Sequence, residues 1–323
     1  MNKSIIILSF WAINSLAQTK PLHISVVQSV STHGIESKNN DYDFSFNLFS
    51  GTVRSIKGVE IGSLYNQNEG DMSGFQVSGL LNITKGNVKG YQSAGLTNNS
   101  GSVIGLQKAG LSNHAKDLSG VQISGLTNTA EYVKGVQITG IYNQSKILRG
   151  YQIGLINVAD SVEKGGGIGL INLYKKGGYQ EIEISVADYQ NIGLSYKSGA
   201  KNLYSILNIG YNYTPVSLFS TGIGIGGIAE FKKNWFFKPE FIFYNYVKDD
   251  FKFKNITNST HLKFGIMCKV KNVGFTISPS IYYANIPKGV DGSLSEISRV
   301  KLFSKTENGR WSFGIGLGMA LLK

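Results

Sequence analysis

The sequence predicts an all-β protein: a β-solenoid with a fifteen-residue repeat, combined with an antiparallel β-barrel of outer-membrane type. Three observations predict it. A phrase of the form Gly-Φ-Gln-x-x-Gly-Leu-x-Asn, Φ being apolar, recurs through the middle of the chain. The flanks alternate between large apolar and small residues. The composition, with 40 Gly, 17 Tyr and 17 Phe but only 5 Pro and 16% charged residues, suits tight turns and aromatic strands rather than a charged helical or disordered chain.

Residues 1–17 read as a secretory signal peptide. Lys3 supplies the positive start, Ile5 to Ile13 an apolar core too short to span a membrane as a helix, and Ser15-Leu16-Ala17 a small-x-small cleavage site before Gln18. About 306 residues then remain (323 less 17), enough for one large domain or two ordinary ones. Residues 18–57 follow as N-terminal strands that could belong to the barrel. "YDFSFNLFSG" there sets Phe44, Phe46 and Leu48 against Asp43, Ser45 and Asn47.

The repeat region covers 58–172 in eight units. Its Asn falls at Asn66, Asn82, Asn98, Asn113, Asn128, Asn143, Asn157 and Asn172, in steps of 14 to 16 residues. Its Gln falls at Gln76, Gln92, Gln107, Gln122, Gln137 and Gln152, with Glu60 in the first unit. Small residues also recur every five positions, as at Gly120, Gly125, Ala130, Gly135 and Gly140. A short fixed period with small turn residues predicts stacked coils, each strand about 4.8 Å above the last. Equivalent residues then form ladders. Val121, Leu126 and Val133 are expected to fill a narrow core, and the Asn amides to satisfy backbone groups at a bend. A meander of membrane strands is the rival geometry. It requires clean alternation, whereas Val121 and Ile123 share one parity and Leu126 the other.

In 173–323 the period becomes two. Trp311, Phe313, Ile315, Leu317, Met319 and Leu321 alternate with Ser312, Gly314, Gly316, Gly318 and Ala320, the pattern of a barrel strand. "TGIGIGGIAEF" and "FTISPSIYY" repeat it. About nine such strands follow the repeats and two precede them, so pairing of the early strands with the last one would make the repeats an insertion. Trp235, Phe236, Tyr244, Tyr246, Tyr282 and Tyr283 are expected to form an interfacial girdle.

No catalytic constellation emerges. The repeat-region carboxylates Glu60, Glu69, Asp71, Asp117, Glu131, Asp160 and Glu163 occupy different positions in the unit. "GIGIGG" lacks the following helix and the acidic residue of a βαβ unit that a dinucleotide loop requires. No His/Cys/Asp group has metal-ligand spacing, and Cys268 stands alone. No enzyme activity, cofactor or metal is therefore expected. The net charge is +12, with 19 Lys/Arg against 10 Asp/Glu after residue 172 and 8 against 7 in the repeats. In an exported chain such a balance favours lipid headgroups or anionic glycans over nucleic acid.

The phrases "GFQVSGLLN", "GVQISGLTN", "GVQITGIYN" and "GYQIGLINVADSV" resemble a bacterial surface-repeat family of exported envelope proteins. Its members join such repeats to a signal peptide and a strand-rich end. The resemblance covers the repeats well and the rest loosely. It implies a cell-surface or outer-membrane location in a Gram-negative-type envelope and transfers no catalytic residue. The expected role is structural or adhesive, with outer-membrane lipid as partner and a glycan or surface protein as a further candidate. A barrel passing or binding a small solute and a secreted glycan-binding solenoid are the alternatives.

Overall fold

The computed structural model describes residues 19–213, 217–248, 257–285, 305–306 and 309–322. The signal peptide expected at 1–17 and most of the basic segment 246–255 lie outside the described residues. The chain divides into two compact units, Met1–Gly105 and Leu106–Lys323. Parallel coils occupy the first unit and open the second, about nine turns in all, and the second unit also holds a closed eight-stranded antiparallel barrel.

Each coil is one sentence of the repeat. In the first unit Met72–Ser78 runs along one side, Gly79-Leu80 makes the bend, and Leu81–Thr84 runs along the next. The following coil repeats this in parallel register, with Gly74 beside Gly90, Gln76 beside Gln92 and Asn82 beside Asn98. In the second unit the same sentence is drawn as longer strands such as Ser112–Ser124 and Thr127–Thr139, with Asn113, Gly120 and Gln122 paired to Asn128, Gly135 and Gln137. Gly135 has φ of 147°, a backbone L side chains rarely adopt, and a Cβ on it would collide with the carbonyl oxygen of Gly120 below. Glycine is therefore required there by both conformation and close approach.

The content of the coil differs from the expectation. Val133 is in the core, at 1% exposure, but Leu126 is 43% exposed and Val121 half-buried. The inward positions beside Val133 are Gln122, Gln137, Asn128 and Asn143, all buried. Gln122 and Ser124 before the bend and Asn128 and Ala130 after it share one parity and all point in, while Gly125 and Leu126 occupy the corner itself and face out; the inward parity changes only between Ala130 and Val133.

The early strands also differ from one expectation. Thr19–Val27 and Asp41–Asn47 are parallel partners, and Asp41–Asn47 is parallel to Ser55–Gly62. Phe44 and Phe46 thus sit on the outside of a coil, not in the barrel. The barrel closes without them. Its strands are Gly178–Ala187, Gln190–Ala200, Leu203–Asn212, Leu218–Gly226, Trp235–Lys248, Thr257–Val270, Val273–Asn285 and Gly309–Leu322, and the last pairs with the first through Ile182–Leu321 and Ile184–Met319.

Alternation decides the two faces of this barrel. Ile182, Ile184, Ile223, Ile277, Leu317 and Leu321 are exposed outside, while Glu181, Glu183, Ser278 and Ala320 are buried within. Three of the six aromatics expected in a girdle, Tyr244, Tyr246 and Tyr282, point inward and are buried. Their strand parity is that of the charged and small residues. Trp235 remains on the outside.

Candidate functional site

Two arrays of polar side chains are the candidate sites: the ladders inside the coils and the filling of the barrel. The ladders hold every residue the sequence singled out. In the second unit Asn113, Asn128, Asn143 and Asn157 each donate through Nδ2 to Oδ1 of the next Asn, at 2.8–3.1 Å, ending at Asn172. Asn113, Asn128 and Asn143 also donate to the backbone carbonyls of Ile123, Ile138 and Ile153 at 2.8–2.9 Å. The glutamine ladder runs the other way. Gln122, Gln137 and Gln152 donate through Nε2 to the Oε1 of Gln107, Gln122 and Gln137 at 2.8–2.9 Å. Opposed amide columns offset each other's dipoles, and few polar groups stay unsatisfied inside a thin coil.

The first unit has the same pattern, with Asn66 donating to Asn82, Asn82 to Asn98, and Gln92 to Gln76. Its glutamine column ends on an acid: Gln76 Nε2 donates to Glu60 Oε2 at 2.7 Å and Asn47 Nδ2 to Glu60 Oε1 at 3.2 Å. Burial pushes the Glu60 carboxyl up to about 7, against the pull of these donors. Further along the column His23 Nδ1 lies 3.1 Å from Ser45 Oγ, and burial holds His23 down to about 4.

In the second unit the asparagine column leads into the barrel. Asn172 Nδ2 donates to the carbonyl of Ser198 at 2.9 Å and to Ser205 Oγ at 3.2 Å, and Gly169 N to Ser205 Oγ at 3.0 Å. Gln152 is opposite Gly167, whose missing side chain leaves space taken by the Tyr174 hydroxyl.

The barrel filling was not found from the sequence. Three lysines and three glutamates pair across it, all buried. Lys197 Nζ lies 2.9 Å from Glu181 Oε1, 3.0 Å from Glu183 Oε2 and 2.7 Å from Glu240 Oε1. Lys238 reaches Glu181 at 2.7 Å, Lys263 reaches Glu240 at 3.6 Å, and the Tyr204 hydroxyl donates to Glu240 at 2.9 Å. The usable signal was parity: in "YQEIEISV" the glutamates occupy the positions opposite Ile182 and Ile184. Beside the charges, His261 stacks on Tyr282 with centroids 4.4 Å apart, and the rings of Tyr189 and Tyr244 meet it edge-on. Gln190 donates to Asn208 at 2.8 Å and to Ser220 at 2.7 Å. The glycines of the lumen side are spaces for these groups: Gly222 faces Tyr244, Gly226 faces Tyr204 and Gly318 faces Glu183.

No family model, curated protein or solved structure matches this chain. The geometry alone therefore bears on chemistry. The Ser259 hydroxyl lies 2.7 Å from His261 Nε2, a nucleophile–base distance, but both are buried among aromatic rings and His261 Nδ1 has no hydrogen-bond partner to orient it. Ser45 beside His23 is equally buried. Four of the six repeat-region acids outside the ladder form surface ion pairs one coil apart, Glu69 with Lys85, Glu131 with Lys146, Glu163 with Arg149 and Asp160 with Lys175, and Asp71 accepts a hydrogen bond from the Asn87 backbone N–H. Among the described residues no group of three or more His, Cys, Asp or Glu is arranged to hold a metal ion.

Proposed function

We propose that this chain is an outer-membrane protein of a Gram-negative-type envelope, a barrel anchor carrying a repeat solenoid with a structural or adhesive role at the cell surface. One observation carries the reading. The barrel is apolar outside and ion-paired inside, an arrangement that suits a lipid solvent and defeats an aqueous one, because water rewards the reverse. The likeness of the repeats to surface-repeat proteins and the signal-like start agree with it. The transport alternative is disfavoured by side chains that occupy the lumen, as an eight-stranded barrel just wide enough for its own residues leads one to expect.

A carbonate wash of cell envelopes, followed by a gel of boiled and unboiled detergent extract, tests the anchor. Retention in the membrane and a mobility shift on boiling are the expected results. A protein that washes off and runs identically either way refutes the membrane reading. Protease shaving of intact cells tests display: repeats cut only after lysis refute the surface role.

A further inference from the structure

The outer surface of the coils is as unusual as their core. In the second unit the bend residues Leu111, Leu126, Ile141, Leu155 and Leu170 form an exposed column, each 43–45% exposed. Beside it runs a second column, Ile123, Ile138, Ile153 and Ile168, and Lys108 is the exception at its start. Charge lies on the other sides of the coil, at Lys116, Lys146, Arg149 and Glu163. The first unit, taken by itself, repeats this with Leu64, Leu80 and Leu96 at the bends and Phe46 and Ile61 beside them. The core keeps Leu118, Val133 and Leu148 but gives much of its length to amides, while a contiguous leucine and isoleucine band faces out, more apolar surface than a water-soluble coil ordinarily exposes.

The apolar band does not end at the last coil. Ile168 and Leu170 share one apolar groove with Ile223, Ile225, Phe241 and Phe243 of the barrel's outer wall. The hydrogen bonds from Gly169 and Asn172 to Ser205 fix the coil against that wall. One continuous apolar surface thus runs from barrel to coil.

We propose that the bend-and-strand face of the solenoid lies against lipid acyl chains, so that the repeats rest on or in the bilayer and present their charged sides to water. This rests on reading the barrel as membrane-embedded. The lipid is chosen over a protein partner because the face is continuous with the barrel wall, whose solvent on that reading is lipid. It also lacks, Lys108 apart, the charged groups by which a specific protein partner is selected.

The test uses the full chain with Cys268→Ser, reconstituted in phosphatidylcholine vesicles whose acyl chains carry bromine. Single cysteines labelled with bimane are placed by Leu126→Cys, Ile138→Cys and Leu155→Cys on the band, Lys116→Cys and Lys146→Cys on the charged sides, and Ile277→Cys on the barrel wall. Heat-modifiable mobility checks that each variant folds, and three band positions guard against one failing. The expected result is loss of most emission at the band, as at Ile277→Cys, with little loss at the charged sides. Quenching at Ile277→Cys but not at the band overturns the proposal and leaves the barrel reading intact. Band probes that are blue-shifted but unquenched also overturn it, since another protein or a second copy then covers the face. No quenching anywhere sinks the barrel reading, and the proposal with it.

Discussion

Glu60 ends a column of glutamines, and its position makes a pH prediction. Its carboxyl binds the proton more tightly folded than unfolded, near 7 against an ordinary 4.5. Its stabilising contribution is therefore complete below pH 4.5 and is lost as pH rises toward 7. His23 in the same unit acts oppositely, losing stability as pH falls from 6.5 toward 4, because burial keeps its folded form neutral. The difference between wild type and Glu60→Gln isolates the acid. Denaturant melts at pH 5 and pH 8 should show the variant gaining up to about 3 kcal/mol at the higher pH relative to the lower. An unchanged difference between the two pH values contradicts the buried carboxylate. At Asn128 the expectation is a loss. Asn128→Ala removes the side-chain donor to the Ile138 carbonyl and to Asn143 Oδ1 and the acceptor of one Asn113 amide N–H, and should cost about 2–4 kcal/mol by thermal or chemical unfolding.

At the scale of the element, a coil is interchangeable with its neighbour. Residues 121–135 repeat 136–150 in register, so deleting 121–135 joins Gly120 to Val136 and leaves both ladders in line. That variant should fold with a strand-rich circular dichroism spectrum and a cooperative melt. Deleting only 121–127 shifts the amides off their columns and should abolish the melt. Gly135→Ala is predicted to destabilise by more than the ~1 kcal/mol of an average point substitution, although alanine ordinarily suits a strand better than glycine, because here it meets both a positive φ and the Gly120 carbonyl. By contrast, Lys146→Ala breaks only an exposed pair with Glu131 and should change stability by less than about 1 kcal/mol.

For the whole molecule the decisive feature is a closed barrel filled by its own charges. Planar-bilayer recordings of the wild type should give no channels, since Lys197 and Lys238 bridge the glutamates within the lumen. Removing one partner leaves buried charge without its counter-ion. Lys197→Ala is accordingly expected to lose about 3–5 kcal/mol, read as a lower temperature for the boiling-dependent gel shift. Open channels in the wild type would return the solute-transport reading to the front.

The sequence by itself determined the repeat, its period, the Asn and Gln columns and the two kinds of β architecture, because each is written in spacing. It also put Cys268 on the parity of Leu262 and Ile266, and the barrel then set that parity on its outer face. It did not determine which side of a coil is inside. Leu126 is expected in the core from its apolar character, but it lies on a corner and faces out, while Gln122 and Asn128 of the same parity lie on straight strands and face in, since alternation orders the residues of a strand and not those of a corner. Nor did spacing say that Phe44 belongs to a coil while Phe313 belongs to the barrel; both alternate, and only parallel or antiparallel pairing separates them. Parity marked Glu181 and Glu183 as opposite Ile182 and Ile184, but the partners of the lumen charges lay beyond sequence reasoning for a related reason. Glu181 and Lys238 are 57 residues apart and meet at 2.7 Å only when eight strands close into a ring. Local periodicity is a property of neighbours in the chain, whereas inside and outside are properties of a closed surface, and only the tertiary structure closes it.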